Sequence, residues 1–115
     1  MARFLLIEPH DDIRRLYEAV VRGLGHELIR LDSDTAETPD VILVDPSDPV
    51  SLQTTTRLRQ DYPDVAIVCA SIYETTREDA EQLKAVAYLL KPFSLVELTS
   101  ALEAAVAHRS NRPTS

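Results

Sequence analysis

The chain is poor in cysteine, glycine and lysine, and it has no long apolar run. Cys69 is the only cysteine, so no disulfide can form within the chain. It lies inside the run VAIVCA and is most simply a small buried hydrophobe. The two glycines, Gly23 and Gly25, leave no glycine-rich loop whose amides could cradle a phosphate-bearing cofactor. That argues against a flavin- or nucleotide-binding enzyme. No apolar run approaches the roughly 20 residues needed to span a bilayer. The N-terminus, MARFLLIEPH, is too short for a secretory signal and lacks a small-residue cleavage site. A cytoplasmic protein with no membrane contact is the expectation. Positive charge is scarce as well. At a formal net charge of −7 the chain is a poor binder of nucleic acid, which is held by neutralising phosphates. Among its twelve basic residues only Lys84 and Lys91 are lysines. A compact ammonium suits a tight oxygen cluster better than a planar guanidinium does.

What remains is an ordinary globular composition, 44% hydrophobic and 27% charged over 115 residues, enough for one domain with one core. Short continuous apolar runs at 3–7, 41–44, 65–70 and 87–90 read as strands covered on both faces. The mixed run His26 to Leu31 suits a strand nearer an edge. Helical patterns lie between. Ile13, Leu16, Tyr17, Val20, Val21 and Leu24 form one stripe, with Asp11 as the expected N-cap and the two glycines as the stop. Leu52 to Tyr62 is a weaker helix, lowered by three threonines and stopped by Pro63. Thr75 to Glu78 and Ser94 to Glu97 both read as capping boxes. The stripe Leu95, Leu98, Leu102, Ala105 and Val106 belongs to a last helix. A single domain over 1–107 and a polar, disordered tail over 108–115 are expected.

Alternating strands and helices imply a doubly wound parallel sheet, whose ligands bind beyond the carboxyl ends of the strands. Four polar residues stand at those ends: Glu8, Asp45, Ser71 and Lys91. Two carboxylates, a hydroxyl and an ammonium brought to one rim can accept and neutralise a phosphoryl group. Only Asp32 to Asp40 separate the second strand from the third, with Pro39 among them, so the second helix should be shortened or missing.

On these residues the chain resembles a response regulator receiver domain of two-component signalling, over roughly residues 3–107. Asp45 in PDVILVDPSDP matches the phosphoacceptor, Pro49 the proline four residues on, and Ser71 the hydroxyl of the fourth strand. Lys91-Pro92-Phe93 matches the Lys-Pro-aromatic signature, and Tyr88 the switch aromatic. The resemblance implies a flavodoxin-like α/β fold, strand order 2-1-3-4-5, and a cis bond before Pro92. It implies a phosphoryl group taken on Asp45 from a histidine kinase or phosphotransfer protein, and altered contacts with a downstream target or a second copy. Beyond self-phosphorylation and autodephosphorylation on Asp45, no enzyme activity is implied. Mg²⁺ would be held by Glu8, Asp45 and the Ser47 carbonyl.

The departures are specific. Pro9 stands where the family has its second metal-binding acid, and Gln53 where it has a glycine. The loop before Tyr88 is short. Mg²⁺ binding is therefore expected to be weak, with His10 a poor substitute ligand because Mg²⁺ prefers oxygen. Two readings follow: a working phosphoacceptor, or a phosphorylation-independent pseudo-receiver kept as a docking module. With no output module after residue 107, the chain acts through protein contacts or is a piece of a larger protein.

Overall fold

The computed structural model describes residues 2–30 and 38–110. In chain order it contains β1 (Arg3–Ile7), α1 (Asp11–Gly23), β2 (Glu27–Ile29), β3 (Val41–Val44), α2 (Pro49–Asp61) and β4 (Ala66–Ser71). A 3-10 turn (Glu74–Thr76), α3 (Arg77–Gln82), β5 (Ala87–Leu90) and α4 (Leu95–Ser110) follow. The strands form one parallel sheet in the order β2-β1-β3-β4-β5. The expected flavodoxin-like α/β topology is therefore present. The shortened crossover expected between β2 and β3 falls mostly outside the described residues.

Strand alternation sorts the core into two layers. Phe4, Leu43, Val68, Ala70 and Leu89 face Tyr17 and Val21 of α1 and Leu98 and Leu102 of α4. Leu5, Ile42, Val44, Ile67 and Cys69 face Leu58 of α2 and Ala80 of α3. Every residue of β3 and β4 is buried, as continuous apolar runs in a doubly covered sheet should be. Burial pushes the Cys69 thiol up to about 12, with Asp79 and Asp45 adding to the effect, which fits an inert core cysteine.

Local signals fared unevenly. The cap of α1 is His10 rather than Asp11, because the Asp11 carboxylate takes the Arg14 guanidinium at 2.6 Å instead of a backbone amide. Gly25 adopts φ +86°, the left-handed conformation that closes a helix C-terminus at little cost only for glycine. Leu16 is 53% exposed, at the margin of the stripe, while Tyr17 and Val21 occupy its centre. Asp48 caps α2 by accepting from the Ser51 amide at 2.9 Å, and Pro49 takes the first helical turn. The Ser94–Glu97 capping box is formed in both directions, at 3.2 and 3.0 Å. The Thr75–Glu78 box is not: Thr76 is already helical and its hydroxyl donates back to the Tyr73 carbonyl at 2.8 Å. In α4 it is Ala101, not the exposed Leu95, that joins Leu98, Leu102 and Ala105 in the core. That helix continues to Ser110, past the expected boundary at 107; residues 111–115 lie outside the described part. His26 is half-buried: its Nδ1 accepts from the Ala2 amide at 3.0 Å and its ring stands against Phe4.

Candidate functional site

The chain reverses from β3 into α2 within four residues, and that turn fixes Asp45. Its Oδ1 accepts from the Ser47 amide at 3.0 Å and the Ser47 hydroxyl at 2.6 Å, an Asx turn with a second donor. Its Oδ2 accepts from Lys91 Nζ at 3.1 Å. Burial alone would raise the Asp45 pKa. The Ser47 hydroxyl, the Ser47 amide and Lys91 outweigh it, and the carboxyl is held below its ordinary range.

Lys91 reaches this point because β5 ends one residue earlier beside Ser71, and its amide donates to the Ser71 carbonyl at 2.8 Å. The Lys91–Pro92 peptide is cis, as the resemblance implies. The ammonium lies between two carboxylates, 3.1 Å from Asp45 Oδ2 and 3.6 Å from Glu8 Oε2. Glu8 is the more enclosed of the two, with its side chain only 1% exposed. Its Oε1 faces His10 Nδ1 at 3.0 Å and accepts from the His10 amide at 3.4 Å.

Ser71 and Tyr88 continue the alternation onto the opposite face, toward α2 and α3. The Ser71 side chain is buried, and its Oγ accepts from the Tyr73 amide at 3.1 Å. The half-buried Tyr88 donates its hydroxyl to the Tyr73 carbonyl at 2.8 Å and meets the Thr76 hydroxyl at 2.9 Å. Arg77 lies over its ring, 4.6 Å from the centroid. Tyr73 thus touches both residues, through its amide on one side and its carbonyl on the other. Glu8, Asp45, Ser47 and Lys91 are brought into one contact chain; Ser71 adjoins them through the backbone, and Tyr88 stands a step further away.

The donor set bears on metal binding. Among the described residues, no group of three or more His, Cys, Asp or Glu is arranged to hold a metal ion. Two carboxylates are present, but position 9 supplies no acid and Lys91 lies between them. These residues fit Mg²⁺ incompletely, since it favours near-octahedral oxygen ligation.

Two features went unread in the sequence. The His10–Glu8 pair could have been weighed from the two-residue spacing across Pro9. The polar tip of Tyr17, inside an otherwise apolar helical stripe, is the other.

The fold agrees with a particular class of solved structures. No family model and no curated protein matches the sequence. A CheY-like receiver domain protein from Methanospirillum hungatei superposes with a TM-score of 0.82 at 15% identity, covering 96% of this chain and 97% of that one. The response regulator TrrA from Thermotoga maritima, in complex with Mg²⁺ and BeF, gives 0.75 at 22% identity, over 91% and 99%. A sensor histidine kinase receiver domain from Pseudomonas aeruginosa, with magnesium coordinated in its active site cleft, gives 0.74 at 24% identity, over 92% and 98%. The chain has the fold of response regulator receiver domains, over nearly their whole length.

Proposed function

We propose that this chain is a phosphoacceptor receiver of a two-component system, with Asp45 as the acceptor. The observation that carries the reading is the Lys91 ammonium 3.1 Å from an Asp45 carboxylate whose other oxygen is held by Ser47. Asp45 Oδ2 attacks the phosphorus of a phosphohistidine on a sensor kinase or phosphotransfer protein. An O–P bond forms, the P–N bond breaks, and the imidazole leaves with the electron pair and takes a proton. Lys91 neutralises one phosphoryl oxygen, and the Ser71 hydroxyl donates to another while still accepting from Tyr73. Tyr88 carries the change to a downstream protein or a second copy, because it shares Tyr73 with Ser71. The chain has no other catalytic activity beyond self-phosphorylation and autodephosphorylation on Asp45.

Glu8, Asp45 and the Ser47 carbonyl would hold Mg²⁺ weakly, and the ion, when bound, supplies charge neutralisation at the phosphoryl group. Setting and partners follow the same reading: a cytoplasmic protein that meets other proteins rather than nucleic acid or membrane. Among the described residues no helix is long and apolar enough to cross a membrane.

Incubation with phosphoramidate and with a phosphorylated kinase, each with Mg²⁺, followed by intact mass, tests the assignment. A one-phosphoryl gain that Asp45→Asn abolishes is expected. No adduct from any donor would overturn it. A second reading has its own observation. Glu8 has protein partners on both oxygens, His10 Nδ1 at 3.0 Å and Lys91 Nζ at 3.6 Å, in the place where a bound ion would otherwise be its partner. A pseudo-receiver of this kind predicts partner binding that Asp45→Asn leaves unchanged.

A further inference from the structure

Arg77 rests on an aromatic ring instead of a carboxylate. It opens α3, and acids stand on either side of it in the sequence, at Glu74, Glu78 and Asp79. Among the described residues it forms no ion pair with any of them. Its guanidinium carbon lies 4.6 Å from the centroid of the Tyr88 ring, on β5. At that range the negative face of the ring attracts the cation, a contact that Arg makes more often than Lys.

The hydrogen bonds of Tyr88 are fewer than its short contacts. Its hydroxyl is 2.8 Å from the Tyr73 carbonyl and 2.9 Å from the Thr76 hydroxyl, and the Thr76 hydroxyl is itself 2.8 Å from the same carbonyl. Three oxygens thus form a triangle with three short sides. Each hydroxyl has one proton to donate and the carbonyl has none. Those protons fill two sides, and the third is left as a contact between lone pairs. The triangle therefore holds Tyr88 less firmly than a hydrogen bond on every side would. Its other members come from the short segment 73–76, which is exposed apart from Thr76. The guanidinium of the next residue adds an attraction that uses no proton at all.

We propose that Arg77 is a positioning residue for Tyr88: its charge holds the ring against the loop between β4 and α3, and so sets how readily the rim takes a phosphoryl group. The second part rests on the phosphoacceptor reading given above. In that reading the Ser71 hydroxyl donates to the phosphoryl group, and Ser71 and Tyr88 share Tyr73, one through its amide and the other through its carbonyl. A contact that fixes Tyr88 in the unphosphorylated chain favours that state, and phosphorylation has to overcome it. Arg77 is exposed, so its hold on the ring is modest and open to a partner. A cation over a ring at an exposed site shifts an equilibrium by about two- to fivefold.

Arg77→Gln removes the charge and keeps a polar side chain, while Arg77→Lys keeps a cation and serves as the rescue. NMR of chains with labelled tyrosine rings, in which the Tyr88 signals are those lost in Tyr88→Phe, reads the ring in the unmodified protein. Incubation with limiting phosphoramidate and Mg²⁺, followed by intact mass, reads the phosphorylated fraction. In Arg77→Gln the Tyr88 signals should move toward those of a solvent-exposed tyrosine. The ratio of phosphorylated to unphosphorylated chain should rise about two- to fivefold. Arg77→Lys should return both part of the way to the wild type. An unmoved ring in Arg77→Gln overturns the proposal. So does a ring released as far in Arg77→Lys, which is a loss of packing and not of charge, and so does a released ring with an unchanged phosphorylated ratio. Absence of an adduct from every chain, wild type included, is a distinct failure. It removes the phosphoacceptor reading and the second part with it, and the ring signals alone then decide whether Arg77 holds Tyr88.

Discussion

The rim of this sheet has two halves built to different standards. On the β3–β5 side, Asp45 receives two donors from Ser47 on one oxygen and Lys91 on the other, all at hydrogen-bond distance. On the β1 side, Glu8 has His10 at 3.0 Å on one oxygen and Lys91 at 3.6 Å on the other, next to a proline that brings neither an acid nor an N–H. The first half is tied to the main chain: the Ser47 amide closes on Asp45, and Asp48, three residues after it, caps α2. The second is fixed by side chains that reach in. Chemistry that needs an anion held in place can rely on the first. Chemistry that needs a cation has the second, where an ammonium lies between the carboxylates.

The sharpest way to break the contrast is to remove the residue common to both halves. Lys91→Met keeps the length of the side chain and deletes its charge. Glu8 and Asp45, with side chains 1% and 7% exposed, then face each other without a cation. Breaking a buried pair from one side costs about 3 kcal/mol, so denaturant unfolding should show a loss of that order at neutral pH. Asp45→Asn in the Lys91→Met background should recover part of it, because one of the two like charges is gone. A Lys91→Met chain as stable as the wild type would mean that the ammonium is solvated and that the two halves are independent.

The difference between the halves can also be repaired. Pro9→Asp returns an acid to the first loop beside Glu8, and with it a third carboxylate for a divalent ion. If Pro9 is what separates the halves, Mg²⁺ should bind at least tenfold more tightly in Pro9→Asp, a gain of about 1.4 kcal/mol. Calorimetric titration of both chains measures it directly. Equal affinity would show that Glu8 alone does the work of two acids, or that Lys91 blocks both chains alike; Lys91→Met on each background separates those outcomes.

The same contrast shows how much could be read from the residues. Four of the strands were legible because each is a bounded apolar run, and with them the four run ends; the order of the sheet came from the family resemblance. Ser94–Glu97 was legible as a cap because both partners lie within the motif. Thr75–Glu78 carries the same letters but failed, since a 3-10 turn tied to Tyr88 already holds Thr76. Asp11 failed as a cap because Arg14 competes for its carboxylate, which no local rule weighs. At the site, Asp45 and Lys91 could be paired from topology alone, being 46 residues apart but at strand ends on one rim. The His10–Glu8 contact and the unpartnered Tyr17 hydroxyl depend on which way side chains turn under the sheet edge. That is set by packing and not by spacing.

The smallest expected effect separates the main-chain and side-chain parts of the better-built half. Ser47→Ala removes the 2.6 Å hydroxyl donor to Asp45 Oδ1 but keeps the 3.0 Å amide donor. At about pH 7 the loss should be about 1 kcal/mol, the ordinary net worth of such a bond. Its pH dependence tells more. Asp45 is held below its ordinary 3.8 in the folded chain, against the opposing pull of burial. A carboxyl depressed on folding contributes stability above its unfolded value and loses it as pH falls through the lower folded value. Removing the Ser47 hydroxyl raises the folded value toward the unfolded one, so Ser47→Ala should lose less stability on acidification than the wild type and finish losing it at a higher pH. The gap between the two chains should narrow once Asp45 is protonated in both states, well below pH 3.8. Denaturant midpoints measured from neutral pH downward would show this convergence. Parallel curves with a constant gap would mean that Ser47 stabilises the turn through its backbone partners and has little influence on the Asp45 charge. The ordered half of the rim would then owe its geometry to the main chain alone.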